Sequence, residues 1–184
     1  MNDKKPSVIR TVFGMMISPG PTLKTAVSGL PLFFSLLVSA LAFLLFFAQT
    51  GLDLYKTGQQ GLGFVLISAG AGAIYGITVI PLLGIVIWLI LKLAKSDKGL
   101  GWAIRSFCLG YSGTLIYGII GMIFSLALGW RTSVAFGVTG VLWATGPIIA
   151  AIREMTSGKT VLGILLATFA GATVLFSWAI FSNL

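Results

Sequence analysis

LISAGAGAIYGITVIPLLG, residues 66–84, admits three readings. Gly70, Gly72 and Gly76 resemble the glycine turn of a nucleotide-binding loop, while Pro81 marks either a kink in a helix or a reversal of the chain. The choice decides whether this is a soluble enzyme and how often the chain crosses a bilayer. A dinucleotide fingerprint needs a preceding strand, a helix opening at its third glycine, and an acidic residue about 20 positions on for the ribose. The first acid downstream is Asp97, beyond Lys92 and Lys95. Ser68, Gly72 and Gly76 fall instead at i, i+4, i+8, the small-xxx-small spacing that lets helix backbones approach closely in lipid. The spacing recurs in Gly110, Thr114, Gly118 and in Gly163, Ala167, Gly171, so all three sets are expected to pack helices together.

The surroundings of this stretch are those of a membrane protein. Of the 184 residues 57% are hydrophobic and 9% charged, with a mean hydropathy of +1.05, against about 25% charged in a soluble domain. Uncharged runs cover 25–52, 57–91, 106–130, 132–152 and 160–184, each long enough for the roughly 20 residues of a helical span. None alternates polar and apolar residues as a membrane β-strand does. The expected fold is all-α: a polytopic bundle of five transmembrane helices over 31–184, with spans near 31–50, within 64–93, and near 106–129, 133–152 and 161–182. Trp88, Trp102, Trp130 and Trp178 fall near span ends, as the headgroup preference of indole predicts; Trp143 sits in mid-span.

Residues 1–30 form a separate interfacial segment. Val8, Ile9, Val12, Phe13 and Met16 share one helical face, as do Leu23, Ala26, Val27 and Leu30, which predicts two short helices lying on the membrane surface. Pro19-Gly20-Pro21 is expected to end the first, Gly29 to close the second, and Pro31 to open span one. The interrupted apolar stretch is not that of a cleavable signal peptide.

Lysines and arginines favour the cytoplasmic side of short loops. With five spans, one side gathers Lys4, Lys5, Arg10, Lys24, Lys92, Lys95, Lys98, Arg105, Arg153 and Lys159, and the other only Lys56 and Arg131. That asymmetry places the N-terminus in the cytoplasm. A hairpin at Pro81 would leave five against seven, so 57–91 is expected to cross once although its 35 residues would make about 52 Å of helix.

The inventory excludes most chemistry. There is no histidine, one cysteine (Cys108, expected in the core) and four acids, all in loops or at span ends, so neither a metal site nor a carboxylate pair has its ligands. No enzyme activity, cofactor or nucleic-acid partner is expected. Ser157-Gly158-Lys159-Thr160 ends like a phosphate-binding loop but lacks its first glycine, for which Arg153 stands. Lys92, Lys95, Arg105, Arg153 and Lys159 are candidates for contact with lipid headgroups. Tyr75, Pro81, Tyr111 and Trp143 are candidates for an intramembrane groove, since Pro81 frees a backbone carbonyl one turn earlier.

Ser18-Pro19 before span one, the glycine-rich span two, Leu109-Gly110-Tyr111-Ser112 opening span three and Leu142-Trp143 in span four together resemble the Yip domain family of Ypt/Rab-interacting membrane proteins. The resemblance covers nearly the whole chain. It implies a five-span bundle with a cytosolic N-terminus, a non-enzymatic role as a membrane organiser or partner of other membrane proteins, and, for a small bacterial-type member, a place in the cytoplasmic membrane. Many relatives carry a proline shortly after the Gly-Tyr pair, where this chain has Gly113-Thr114-Leu115. The long N-terminal region implicated in Rab contact is also missing, so a GTPase partner is not carried over. The expected partners are membrane lipids, other membrane proteins or further copies of the chain; the alternative role is a passive conduit for a lipid or small uncharged solute.

The ten-to-two charge bias predicts that a reporter fused after Leu184 is active only when it functions outside the cytoplasm. Activity of a cytoplasm-only reporter there would refute the five-span topology.

Overall fold

The computed structural model describes residues 7–93 and 95–183. Two short helices, α1 (Val8–Ile17) and α2 (Pro19–Thr25), and a 3-10 turn at Val27–Gly29 precede the bundle. Five apolar helical segments follow, each long enough to cross a bilayer: Leu32–Lys56, Leu62–Leu93, Leu100–Leu128, Ser133–Met155 and Thr160–Ser182. The first two are α3 and α4. The third consists of α5 (Leu100–Gly110) and α6 (Ser112–Leu128), the fourth of a π-helical turn (Ser133–Val138) and α7 (Thr139–Met155), and the fifth is α8. The chain is a multi-pass integral membrane protein.

Residues 66–84 lie inside a single helix, α4, which runs unbroken through Pro81. Its 32 residues make about 48 Å of helix, longer than a hydrocarbon core of about 30 Å. The small-residue face does what the spacing predicts. A Cβ on Gly72 would enter the carbonyl of Phe43, one on Gly76 the carbonyl of Ser39, and the Ser68 hydroxyl lies 2.9 Å from where a Cβ on Gly51 would stand. Across this seam Ser39 Oγ donates to the carbonyl of Gly76 at 2.8 Å.

Spans one and three exceed their expected limits by the most. Span one continues past residue 50 to Lys56, and span three begins at Leu100 rather than 106. In both, the added turns carry a charged side chain: Asp53, buried near the end of α3 where it accepts from Thr132 and Ser133, and Arg105, half-buried in α5. The N-terminal segment also departs from expectation. Pro19 and Pro21 open α2 rather than merely ending α1, since a proline in the first helical turn forfeits no bond. The apolar residues of α1 do not share one lipid face. Thr11 and Met15 are buried on the bundle, Val12 packs beside them, and Ile9, Phe13 and Ile17 are 69%, 50% and 78% exposed. A helix held between bundle and lipid needs apolar side chains on both sides.

The core is aromatic. Phe43 is fully buried between Phe46, Tyr75 and Tyr111, with ring centroids 6.4, 5.1 and 5.0 Å away. Cys108 is buried in the same cluster, as expected. α8 joins through Trp178, which stacks on Phe46 at 5.4 Å and donates to Thr50 Oγ1 at 2.8 Å.

Gly72→Leu is predicted to destabilise the protein by more than about 3 kcal/mol, because overpacking against rigid backbone has no room to relax. Gly70→Leu, in the same stretch but facing open space, is predicted to be neutral. Thermal release of the buried Cys108 thiol in detergent, followed with a thiol-reactive dye, distinguishes them; equal melting of the two variants contradicts the seam.

Candidate functional site

The four groove candidates do not line one groove. Tyr75 and Tyr111 meet on the two sides of Phe43, and the Tyr111 side chain is 1% exposed. Pro81 is buried further along α4. Trp143 lies elsewhere: it covers Gly113 and Tyr117 on α6, with its ring 6.0 Å from that of Tyr117. Tyr111 belongs to a closed core, where Phe43 and Phe46 fill the space beside it, and Tyr75 packs half-buried at its edge. Both phenol oxygens are buried without a hydrogen-bond partner.

Trp143 does something the sequence did not suggest. Its indole N–H donates to the carbonyl of Met16, in the last turn of α1, at 3.2 Å. That carbonyl is free because it lies among the final four of its helix. Trp143 stands about 18 Å along α7 from the helix end at Met155, so the end of α1 is held against the middle of a span. Gly14 permits the tight return into α2, since a Cβ there would press on the Thr22 side chain. α2 then descends along α7 to an ion pair between Lys24 Nζ and Glu154 Oε1, 3.4 Å apart.

This docking forms a cleft of about 720 Å3 between α2 and the end of α7, lined by Gly20, Pro21, Lys24, Arg153, Glu154 and Ser157 among others. Of the five headgroup candidates, only Arg153 reaches it. Lys159 lines a shallower apolar depression with Val161 and Leu165. Lys92 donates to the carbonyl of Ser96 at 3.2 Å, Lys95 is exposed in the same loop, and Arg105 is half-buried in α5 with an unpartnered Nε. Lys24 was missed as a site residue, because only the docking of α2 brings it to α7.

Of the packing residues, Gly72 and Gly76 are in backbone contact, and Gly110 and Gly118 are close to Ile148 and Leu45, 3.2 and 3.0 Å from a built Cβ. Gly163 and Gly171 have ordinary spacing, 3.4 Å from Ile149 and Thr145.

At the opposite rim the last turn of α3 clasps the link between spans three and four. The Asp53 carboxylate accepts from the backbone N–H of Thr132 at 3.0 Å and of Ser133 at 2.8 Å, so a negative charge caps the start of the fourth span. Lys56 Nζ donates to the carbonyls of Ser125 and Trp130 at 2.7 and 2.9 Å, placing a positive charge at the end of α6. Each sign complements the helix terminus it meets. Gly129, in the left-handed conformation at φ 69°, ends α6 between them.

Among the described residues no group of three or more His, Cys, Asp or Glu side chains is placed to hold a metal ion. Comparison with protein-family models, with curated proteins and with solved structures gives no match for this chain.

Asp53→Ala leaves two buried N–H groups without an acceptor, and the predicted loss is about 3 kcal/mol, with Asp53→Asn near half of that. The Cys108 melting assay reads both; wild-type melting of Asp53→Ala would show that the clasp does not hold the link.

Proposed function

We propose that the chain is a non-enzymatic membrane organiser of Yip type in the cytoplasmic membrane, working through helix packing and lipid contact and associating with other membrane proteins or with copies of itself. The observation that carries this reading is the mounting of α1. The helix is fixed to the bundle by Met15 and by the Trp143–Met16 hydrogen bond, and turns Ile9, Phe13 and Ile17 outward. A rigidly held apolar ridge couples the bundle to the packing of the surrounding leaflet. The Gly110-Tyr111-Ser112 element on which the family resemblance partly rests lies at the break between α5 and α6.

The aromatic filling around Phe43 favours an organiser over a conduit, since a lipid or solute would have to displace Phe43, Phe46 and Tyr111, each 1% exposed or less. Reconstitution in liposomes tests the reading. The expected result is lipid flip-flop and leakage of a small uncharged solute at the rates of empty vesicles. Flux well above that by wild-type protein that keeps Cys108 protected from thiol reagent would replace the organiser with a conduit.

A further inference from the structure

We propose that the cleft between α2 and the basic end of α7 seats the headgroup of phosphatidylethanolamine, with Lys24 and Arg153 on its phosphate, Glu154 on its ammonium, and an acyl chain lying along α7. The inference rests on the organiser reading and names the lipid it would hold.

Position comes first. Arg153 and Glu154 lie in the last turn of α7, at the end that the lysine and arginine bias assigns to the cytoplasmic side. This is the level at which headgroups meet a spanning helix. Arg153, Ala150 and Gly146 succeed one another at spacings of three and four, hence on one face of α7. α2 borders this face on one side, through the cleft it shares with Ala150 and Arg153. α8 borders it on the other, since a Cβ on Gly163 would stand 3.5 Å from Arg153 Cγ. Gly146 is exposed, with nothing within 4 Å of a built Cβ. Small residues, Ala150 in the cleft and the exposed Gly146 beyond it, therefore continue this face of α7 from the charged cleft toward the middle of the bilayer and leave room for a hydrocarbon chain against it.

Charge decides which headgroup. The cleft presents two cations and one carboxylate. A headgroup bearing only a phosphate would leave Glu154 facing like charge; one bearing a phosphate and, two carbons away, an ammonium matches all three. The Lys24–Glu154 pair is open to such a partner. Its 3.4 Å separation exceeds the roughly 2.7–2.9 Å of a close charge-assisted hydrogen bond, and Lys24 is 65% exposed. A primary ammonium has three N–H donors for the remaining lone pairs of Glu154. The trimethylated nitrogen of phosphatidylcholine has none, so it keeps the charge, the phosphate and the chains but loses the hydrogen bonds to the Glu154 carboxylate.

The test uses the full chain in detergent and native mass spectrometry, with phosphatidylethanolamine, phosphatidylcholine and phosphatidylglycerol of identical acyl chains as probes. Phosphatidylethanolamine is expected to be retained over phosphatidylcholine by roughly ten-fold, the effect of one charge-assisted contact. Glu154→Gln is expected to erase that preference, Arg153→Gln to weaken retention of all three lipids, and chain-free phosphoethanolamine to leave the bound lipid in place. Protection of Cys108 from thiol reagent verifies that the variants are folded, and the wild-type comparison needs no variant. Equal retention of phosphatidylethanolamine and phosphatidylcholine by the wild type overturns the proposal. So does a preference for phosphatidylglycerol that Glu154→Gln increases, which would make the cleft a plain phosphate site, and so does displacement by phosphoethanolamine, which would make the ligand a soluble headgroup. These outcomes are independent of vesicle flux: loss of the lipid preference without flux leaves the organiser reading standing, and flux with the preference intact removes the organiser alone.

Discussion

Gly72 and Gly76 lie so close to α3 that the carbonyls of Phe43 and Ser39 occupy the space a side chain would need. In lipid there is no hydrophobic force to draw two apolar helices together, so close contact and short hydrogen bonds must do it. The α3–α4 seam supplies both. It also fixes what α3 presents elsewhere: with one side against α4, Phe43 points into the core, Gln49 reaches α6, and Asp53 reaches the fourth span. The remaining helices are arranged around this pair.

One chemical motif recurs at the helix contacts. Ser39, Gln49 and Thr114 each donate across a helix interface, and the acceptors are the carbonyls of Gly76, Gly118 and Gly140. A glycine has no side chain to shield its own carbonyl, so a donor from a neighbouring helix can reach a group already engaged within its helix. The small residues of this chain thus serve as acceptor sites as well as gaps. Polar side chains that lack such a partner bond to their own helix, as Ser68, Thr78 and Ser106 do to the carbonyls one turn back.

The five crossings and the contact face of α4 were legible because each depends on a local period: hydropathy over about 20 residues, or small side chains one turn apart. Gly137 and Gly140 pack directly against Phe46 and Thr114; within the fourth span each has only one small residue four positions away, Ser133 and Ala144, so neither makes the three-member run that marked the other faces. Asp53 and Lys56 read as loop charges. Their role depends on the ends of α6 and the fourth span, more than 60 residues away in sequence. Tyr75, Tyr111 and Trp143 are all aromatic residues within spans, and the face each occupies is likewise set by neighbours that periodicity cannot name. Lys24 and Arg153 meet only because α2 folds back along α7.

The bond from Trp143 to Met16 joins residues 127 positions apart. At a synthesis rate of about 5–20 residues per second, the N-terminal helices exist for on the order of ten seconds before their docking surface on α7 has been made. During that interval α1 can meet the surfaces of Leu109 and α6, which are made earlier, but not that of α7. The mounting of α1 is therefore complete only once the fourth span is in place, and the N-terminal segment in its final position reports that most of the chain has been inserted.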